Sequence, residues 1–247
     1  MTEWTKARVV GKRLWTPRLI SLQFDAELQP FKAGQFARVG LDIDGERVGR
    51  PYSFVNAPHE RPYELYFNIV DDGNLTSHLS ALDADDSLWV WPEMFGFLVL
   101  DEIPDADQLW LLSSGTGIGP FLSMLKTDEI WQRFGHVVLC HGVRYATDLS
   151  YQDMIVDVGR SHDGRLTYIP LVTREDVPDA LDCRIPTAIE NGQLEQRAGL
   201  TLNAEHSHVM LCGNSGMIES TIALLQQRGM RRHRRREPGH ISSEQYF

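Results

Sequence analysis

Residues 109–122 read LWLLSSGTGIGPFL. An apolar run ends in Ser113-Ser114, turns through Gly115, Gly117 and Gly119, and enters a helix-forming segment at Pro120. Proline suits the first turn of a helix, because the N–H it lacks would have no partner there. Glycines let a phosphate-bearing ligand come close to the backbone, and a helix start offers free N–H groups to an anion. The spacing is G-x-G-x-G-P rather than the dinucleotide fingerprint G-x-G-x-x-G, and tight strand–helix packing explains such a turn equally well. What settles the fold class is that this turn opens a rhythm of buried strand, polar turn and helix that continues to the end of the chain.

Downstream, PFLSMLKTDEIWQRF (120–134) reads as one helix and HVVLCHGV (136–143) as a second buried strand. LTYIPLVT (166–173) and HVMLCG (208–213) follow, each succeeded by polar or helical sequence. Strands alternating with helices imply a parallel sheet with right-handed crossovers. The strand ends carry the chemistry. Val143 leads into Arg144 and Tyr145, Thr173 into Arg174, and Arg184 comes a little later. Arginines there match a ribose 2′-phosphate, which a guanidinium holds with paired hydrogen bonds, whereas an acidic residue would match a free 2′-hydroxyl. That favours NADP over NAD, with Tyr145 a candidate to stack on adenine; the plain alternative is three solvated surface arginines. The last of these strands runs through Met210 and Leu211 into Cys212, Gly213 and Asn214. Gly213 permits close approach to a ring, and Cys212 is either part of that site or an inert buried residue.

Upstream the rhythm differs. ARVVGKRLW, LISLQFD, QFARVGLDI, RVGRPYSFVN, YELYFNIV and LWVWP are short runs rich in β-branched and aromatic residues, separated by turn signals at Asp44-Gly45 and Asp72-Gly73. Residues 1–100 therefore read as an antiparallel barrel or sandwich with one helix at SHLSALDADD (77–86). DEIPDAD (101–107) reads as a linker, and 108–247 as the α/β domain. Within RPYSFVN (50–56), strand alternation points Arg50 and Tyr52 one way and Pro51 and Ser53 the other. Arg50 and Tyr52 suit a ligand with an anionic part and an aromatic part; an edge strand with a surface arginine accounts for the stretch equally well.

Composition narrows the classes. The 247 residues carry 24 basic and 34 acidic side chains, a net charge of −10 that argues against a nucleic-acid binder. No apolar run is long enough to span a bilayer, and the N-terminus has no signal-peptide core. Cys140, Cys183 and Cys212 are too far apart for a zinc or iron–sulfur motif, and the nine histidines show no metal-ligand spacing, so no metal is expected. Unpaired thiols without a signal peptide point to the cytoplasm. Against the acidic whole, Arg228, Arg231, Arg232, Arg234, Arg235 and Arg236 crowd one stretch, either a docking patch or a solvated helix end.

Four segments in this order carry a resemblance: R-x-Y-S at Arg50–Ser53, G-T-G-I-G-P at Gly115–Pro120, C-G-N at Cys212–Asn214, and the C-terminal PGHISSEQYF. Over essentially its whole length the chain resembles the ferredoxin/flavodoxin–NADP⁺ reductases, most closely the short enterobacterial type. The resemblance implies two domains, an antiparallel β-barrel binding FAD and a parallel-sheet α/β domain binding NADP(H). It places Arg50 on the FAD pyrophosphate, Tyr52 against the isoalloxazine ring and Ser53 near flavin N5, with Pro51 in the same strand. The family's second flavin strand falls on Tyr66, Phe67, Asn68 and Ile69. Its phosphate-binding turn and helix start fall on Asn74, Leu75, Thr76 and Ser77, where Thr76 and Ser77 are expected to cap the helix and donate to the pyrophosphate. Thr116 is the position of the glycine-rich turn that reaches the flavin. Gly115, Gly117, Val143, Arg144, Tyr145, Thr173, Arg174, Arg184 and Met210–Asn214 fall on the NADP site. The resemblance makes Tyr246 and Phe247 an aromatic end expected to cover the flavin face or its adenine, and places Ser53, Tyr52, Cys212 and Tyr246 at the reacting centre. Glu244 is not assigned a proton-donating role. The implied reaction is electron exchange between NADP(H) and a ferredoxin or flavodoxin, an acidic carrier, by a monomer that binds neither membrane nor nucleic acid. Reduction of free flavin, ferric chelates or quinones on the same fold, and a non-catalytic flavin sensor, are the alternatives.

Overall fold

The structure is a computed structural model that describes residues 3–71 and 73–245. The chain divides into two compact units, Met1–Val99 with Gly119–Lys126, and Leu100–Ile118 with Thr127–Phe247.

In the first unit, strands β1 (Thr5–Leu14), β2 (Leu19–Asp25), β3 (Phe36–Ile43), β4 (Glu46–Ser53), β5 (Tyr63–Asn68) and β6 (Ser87–Val90) form one sheet in the order β4-β3-β6-β1-β2-β5, every pair antiparallel. The β3–β4 hairpin turns on Asp44 and Gly45 at φ 52° and 83°, the double left-handed geometry whose twist matches that of paired strands. Beyond β4, an antiparallel bridge between Phe54 and Leu65 joins that edge to β5, so the two edges of the sheet meet and close a barrel. Its interior is apolar and ring-rich: Phe54 lies 4.6 Å from Phe31 and 5.4 Å from Tyr63, centroid to centroid.

Helix α1 (Thr76–Ala81) is shorter than the expected 77–86. Leu82 is extended, Asp85 is left-handed at φ 74°, and the Asp86 carboxylate accepts the Asp83 N–H at 2.8 Å. Closely spaced aspartates turn the chain through side chain–backbone bonds that compete with the helix. Helix α2 (Gly119–Leu125) is wholly buried and belongs to this unit, its Ser123 hydroxyl donating to the Asn56 carbonyl at 2.7 Å.

The second unit holds β7 (Gln108–Ser114), β8 (His136–Val143), β9 (Leu166–Val172), β10 (Ser207–Gly213) and β11 (Ile241–Gln245), all parallel, in the order β11-β10-β7-β8-β9. Helices α3 (Asp128–Arg133), α4 (Gln152–Ser161), α5 (Ile185–Glu190), α6 (Gln193–Ala198) and α7 (Ser215–Gln227) accompany them. Trp110, Leu112, Val138, Ile169, Leu171, Val209 and Leu211 pack with α5–α7 side chains in one buried cluster. The single helix expected over 120–134 is instead two, α2 and α3, because Thr127 is extended at φ −103°, ψ 147°. A β-branched residue followed by Asp128 and Glu129 is itself a helix-start signature. Strand β11 is an element that the aromatic-tail reading of the C-terminus did not anticipate.

The sheet order matters for function. From β7 the chain builds outward through β8 and β9 on one side, then returns to place β10 on the other. Open parallel sheets bind ligands at the carboxyl ends of strands flanking such a reversal, here Ser114 onward and Cys212 onward. No helix among the described residues is long and apolar enough to cross a membrane.

Candidate functional site

Arg50, Pro51, Tyr52 and Ser53 all lie on β4, paired through Arg50–Val39, Tyr52–Ala37 and Ser53–Phe36. Pro51 stands opposite Arg38, whose carbonyl accepts the Trp91 N–H at 2.8 Å, so the N–H that proline lacks leaves no gap in the ladder. The Arg50 guanidinium is exposed and bonds only the neighbouring Gly49 carbonyl, at 3.0 Å, among the described residues. Tyr52 is half-buried with its ring edge-on to Phe67 at 5.9 Å, and burial pushes its phenol up to about 12, so it stays neutral. Ser53 is 7% exposed and its hydroxyl has no hydrogen-bond partner among the described residues. A buried hydroxyl left unpaired costs about 1–3 kcal/mol, which a bound acceptor would recover.

On β5, Tyr66 and Phe67 are buried and Asn68 exposed, with half-buried Ile69 just beyond the strand. In the Asn74–Ser77 segment the expected caps are absent. Leu75 stands at the N-cap of α1 with its side chain in the barrel core; the Thr76 hydroxyl accepts the Val70 N–H at 3.0 Å, and Ser77 donates to the Gly73 carbonyl at 3.3 Å. The hydroxyls instead tie the helix start to the turn before it, because an apolar residue fills the capping position. Asn74 is exposed.

In the second unit, the glycine-rich turn is a 3₁₀ segment, Gly115–Ile118. Gly115 is left-handed at φ 54° and faces open space, whereas a Cβ on Gly117 would meet the Cys212 carbonyl oxygen at 2.5 Å. Gly117 is thus required by close packing and Gly115 by conformation. Gly213, at φ 129°, approaches Ser114 as tightly, with a Cβ placed 2.5 Å from its hydroxyl. The Ser114 hydroxyl accepts the Asn214 N–H at 3.0 Å, and the Asn214 carboxamide in turn accepts the Met217 N–H at 3.1 Å to cap α7. Neither Ser114 nor His141, whose Nε2 donates to the Gly115 carbonyl at 3.0 Å, was expected in this site. The position of Ser114 directly before the turn was the available signal. Met210, Leu211 and Cys212 are fully buried in β10, and Thr116 is half-buried.

Val143 ends β8 and Thr173 directly follows β9, with the Thr173 N–H and hydroxyl both on the Val143 carbonyl at 3.2 Å. The Arg174 N–H donates to the Arg144 carbonyl at 3.0 Å, bringing the two arginine backbones side by side. The Glu175 carboxylate accepts the Ala146 N–H at 2.8 Å and completes the clasp. Arg144, Arg174 and Arg184 are exposed, with no side-chain hydrogen bond or ion pair among the described residues; Arg184 precedes α5 and Tyr145 is 47% exposed. Tyr246 and Phe247 lie outside the described residues. Only Arg228 of the arginine run stands at a helix end, as the C-cap of α7, where it pairs with Glu195 at 2.7 Å; the run continues beyond the helix, and Arg235 makes a bidentate pair with Glu102 at 2.6 and 2.5 Å. Arg232, Arg234 and Arg236 are exposed. No group of three or more His, Cys, Asp or Glu among the described residues could hold a metal ion.

A parallel sheet with a glycine turn at its reversal, in a chain whose other unit is an antiparallel barrel, defines a two-unit nucleotide-dependent oxidoreductase. Residues 111–222 match the oxidoreductase NAD-binding domain family. The chain is 45% identical over 248 residues to the flavodoxin/ferredoxin–NADP reductase of Escherichia coli, covering all of both chains. It is 36% identical to the ferredoxin–NADP reductase of Pseudomonas aeruginosa, covering 97% and 96% of the two chains. The crystal structure of a ferredoxin–NADP⁺ reductase from Neisseria gonorrhoeae with bound FAD and NADP superposes with TM-score 0.95 at 31% identity, covering 100% of both chains. The chain belongs to the flavodoxin/ferredoxin–NADP reductase family.

Proposed function

We propose that this protein is a flavodoxin/ferredoxin–NADP reductase carrying FAD on its first unit and NADP(H) on its second. The observation that carries the reading is the end-to-end identity with curated reductases of that name, 45% over 248 residues. The side chains suit the two ligands. Ser53 brings a buried hydroxyl in need of an acceptor, Arg50 an uncommitted cation for a pyrophosphate, and Tyr52 a neutral ring for a flat heterocycle. Tyr66–Ile69 and Asn74–Ser77 complete that set. Arg144, Arg174 and Arg184 supply guanidinium groups unpaired among the described residues for a 2′-phosphate, and the Gly115–Gly119 turn and Gly213 let a ligand approach the backbone without side-chain bulk.

FAD, when bound, exchanges a hydride with the nicotinamide and single electrons with the carrier. The protein's part is to orient and neutralise. Arg50 offsets pyrophosphate charge, Ser53 fixes one edge of the flavin, and the arginines at the strand ends select the phosphorylated dinucleotide. Such chemistry needs aligned rings more than acid–base groups. An acidic protein carrier would meet Arg231, Arg232, Arg234 and Arg236, the part of the basic run not engaged by Glu195 or Glu102 among the described residues.

Anaerobic titration of the FAD-loaded protein with NADPH and with NADH tests the reading. NADPH bleaches the flavin band at far lower concentration than NADH, and added flavodoxin or ferredoxin restores it. A protein that takes up no FAD, or whose flavin NADPH leaves oxidised, overturns it.

A further inference from the structure

His141 follows the apolar run VVLC (137–140) within the strand HVVLCHGV and is fully buried. Its Nε2 lies 3.0 Å from the Gly115 carbonyl oxygen, and its Nδ1 is buried without a partner among the described residues. A carbonyl only accepts, so Nε2 carries a proton. Burial lowers the imidazole to about 4, so the donor persists throughout the neutral range. An unpaired ring nitrogen in a sheet interior is a cost that leucine would avoid. The histidine earns its place through the one bond it makes.

That bond falls on a peptide with unusual freedom. Gly115 is left-handed at φ 54°, nothing lies within 4 Å of where its Cβ would stand, and it is the hinge at which β7 becomes the turn. A trans peptide is planar, with its C=O and the following N–H pointing in opposite directions. Holding the Gly115 oxygen toward His141 therefore aims the Thr116 N–H away from the sheet interior. The side chains at the end of β7 act elsewhere: the Ser113 hydroxyl donates to the Cys140 carbonyl at 2.8 Å, and Ser114 engages Asn214.

We propose that His141 is a positioning residue that fixes the Gly115–Thr116 peptide so that the Thr116 N–H faces the pyrophosphate-bearing part of the dinucleotide. The proposal rests on the NADP reading of the second unit. It separates His141 from Arg144 and Arg174, which address the 2′-phosphate end.

The test is calorimetric titration of the FAD-loaded protein with NADP⁺ and, separately, with 2′-phospho-AMP, which has the adenosine phosphates but no pyrophosphate bridge. Three variants are compared. His141→Gln keeps an N–H donor at similar reach, His141→Leu removes the donor, and His141→Asn carries one too short to reach. For the Leu and Asn variants NADP⁺ affinity falls roughly 10- to 100-fold, the range for losing an aimed donor to a charged group, while 2′-phospho-AMP changes less than about twofold. The Gln variant returns NADP⁺ to within about threefold of the wild type, with KM for NADPH moving more than kcat across the series. Should His141→Leu fail to fold, the Gln–Asn comparison carries the same contrast. Equal NADP⁺ affinity in the Gln and Asn variants, or parallel loss of both ligands, overturns the proposal. A wild-type protein that binds neither ligand instead removes the NADP reading itself.

Discussion

The hydroxyl of Ser114 accepts the backbone N–H of Asn214 at 3.0 Å, across 100 residues of sequence, and so ties the glycine-rich turn after β7 to the C-G-N segment after β10. Both segments carry candidate nucleotide contacts, and one neutral hydrogen bond registers them. Ser114→Ala removes the acceptor and leaves Asn214 N–H unpaired, a loss of about 1–1.5 kcal/mol. NADP⁺ affinity is expected to fall roughly five- to tenfold with flavin content unchanged, read by titration of the FAD-loaded variant. Undiminished affinity would show that the two segments hold their register without it.

The same junction predicts an asymmetry between glycines. Gly117→Ala drives a methyl to 2.5 Å from the Cys212 carbonyl, a contact that backbone cannot yield to cheaply. Gly119→Ala meets only a Val55 methyl at 3.7 Å. The first substitution should cost about 2–4 kcal/mol and lower the melting temperature by several degrees, while the second stays within about 1 kcal/mol. Equal melting temperatures would contradict the packing.

Much of this was legible in the residues. Short β-branched runs with Asp-Gly turns gave the barrel, and apolar runs separated by helical stretches gave the parallel sheet, because side-chain periodicity is a local property. What escaped was set by local competition or by long-range pairing. Thr127 breaks one apparent helix into two through its own extended backbone, and Asp83–Asp86 end α1 early. Leu75 takes the cap position that Thr76 and Ser77 were expected to serve. Strand β11 and the roles of Ser114 and His141 exist only through partners far away in sequence, and nothing in ISSEQ, SS or LCH announces them.

Arg144 and Arg174 are backbone neighbours whose side chains have no ion pair among the described residues, so removing either should disturb ligand selection and little else. Arg144→Ala and Arg174→Ala are each expected to raise KM for NADPH roughly 10-fold or more while leaving that for NADH within about twofold, a loss of about 1.5–3 kcal/mol of charge-assisted bonding. Steady-state kinetics with both dinucleotides and an artificial electron acceptor decide it. A matching rise for NADH would place these arginines outside the 2′-phosphate site.

Ser53 offers a sharper contrast. Its hydroxyl is buried and unpaired among the described residues, so Ser53→Ala should leave the FAD-free protein's stability unchanged or improve it by up to about 1 kcal/mol. With FAD the same substitution should weaken flavin retention several-fold, since the hydroxyl then has an acceptor to lose. Melting curves with and without added FAD show a crossing if this is right; a variant less stable in both states would mean that Ser53 acts through the barrel itself.

Glu244 sits on β11 opposite Cys212 of β10, and burial pushes its carboxyl up to about 7. Because the folded value lies above the unfolded one, the native state binds the extra proton between about pH 4.5 and 7. Folding is therefore unpenalised below pH 4.5, and stability is progressively lost as pH rises through about 7, where the carboxylate must ionise within the protein. Glu244→Gln removes the ionisation. It should melt with the wild type at pH 4.5, and exceed it by about 1–3 kcal/mol above pH 8, discounted for the side chain's partial exposure. Thermal melts at pH 4.5, 6, 7 and 8.5 trace the divergence. Two curves that stay parallel through pH 8.5 would mean that the carboxylate is solvated in the native protein, and that the end of β11 is open to water.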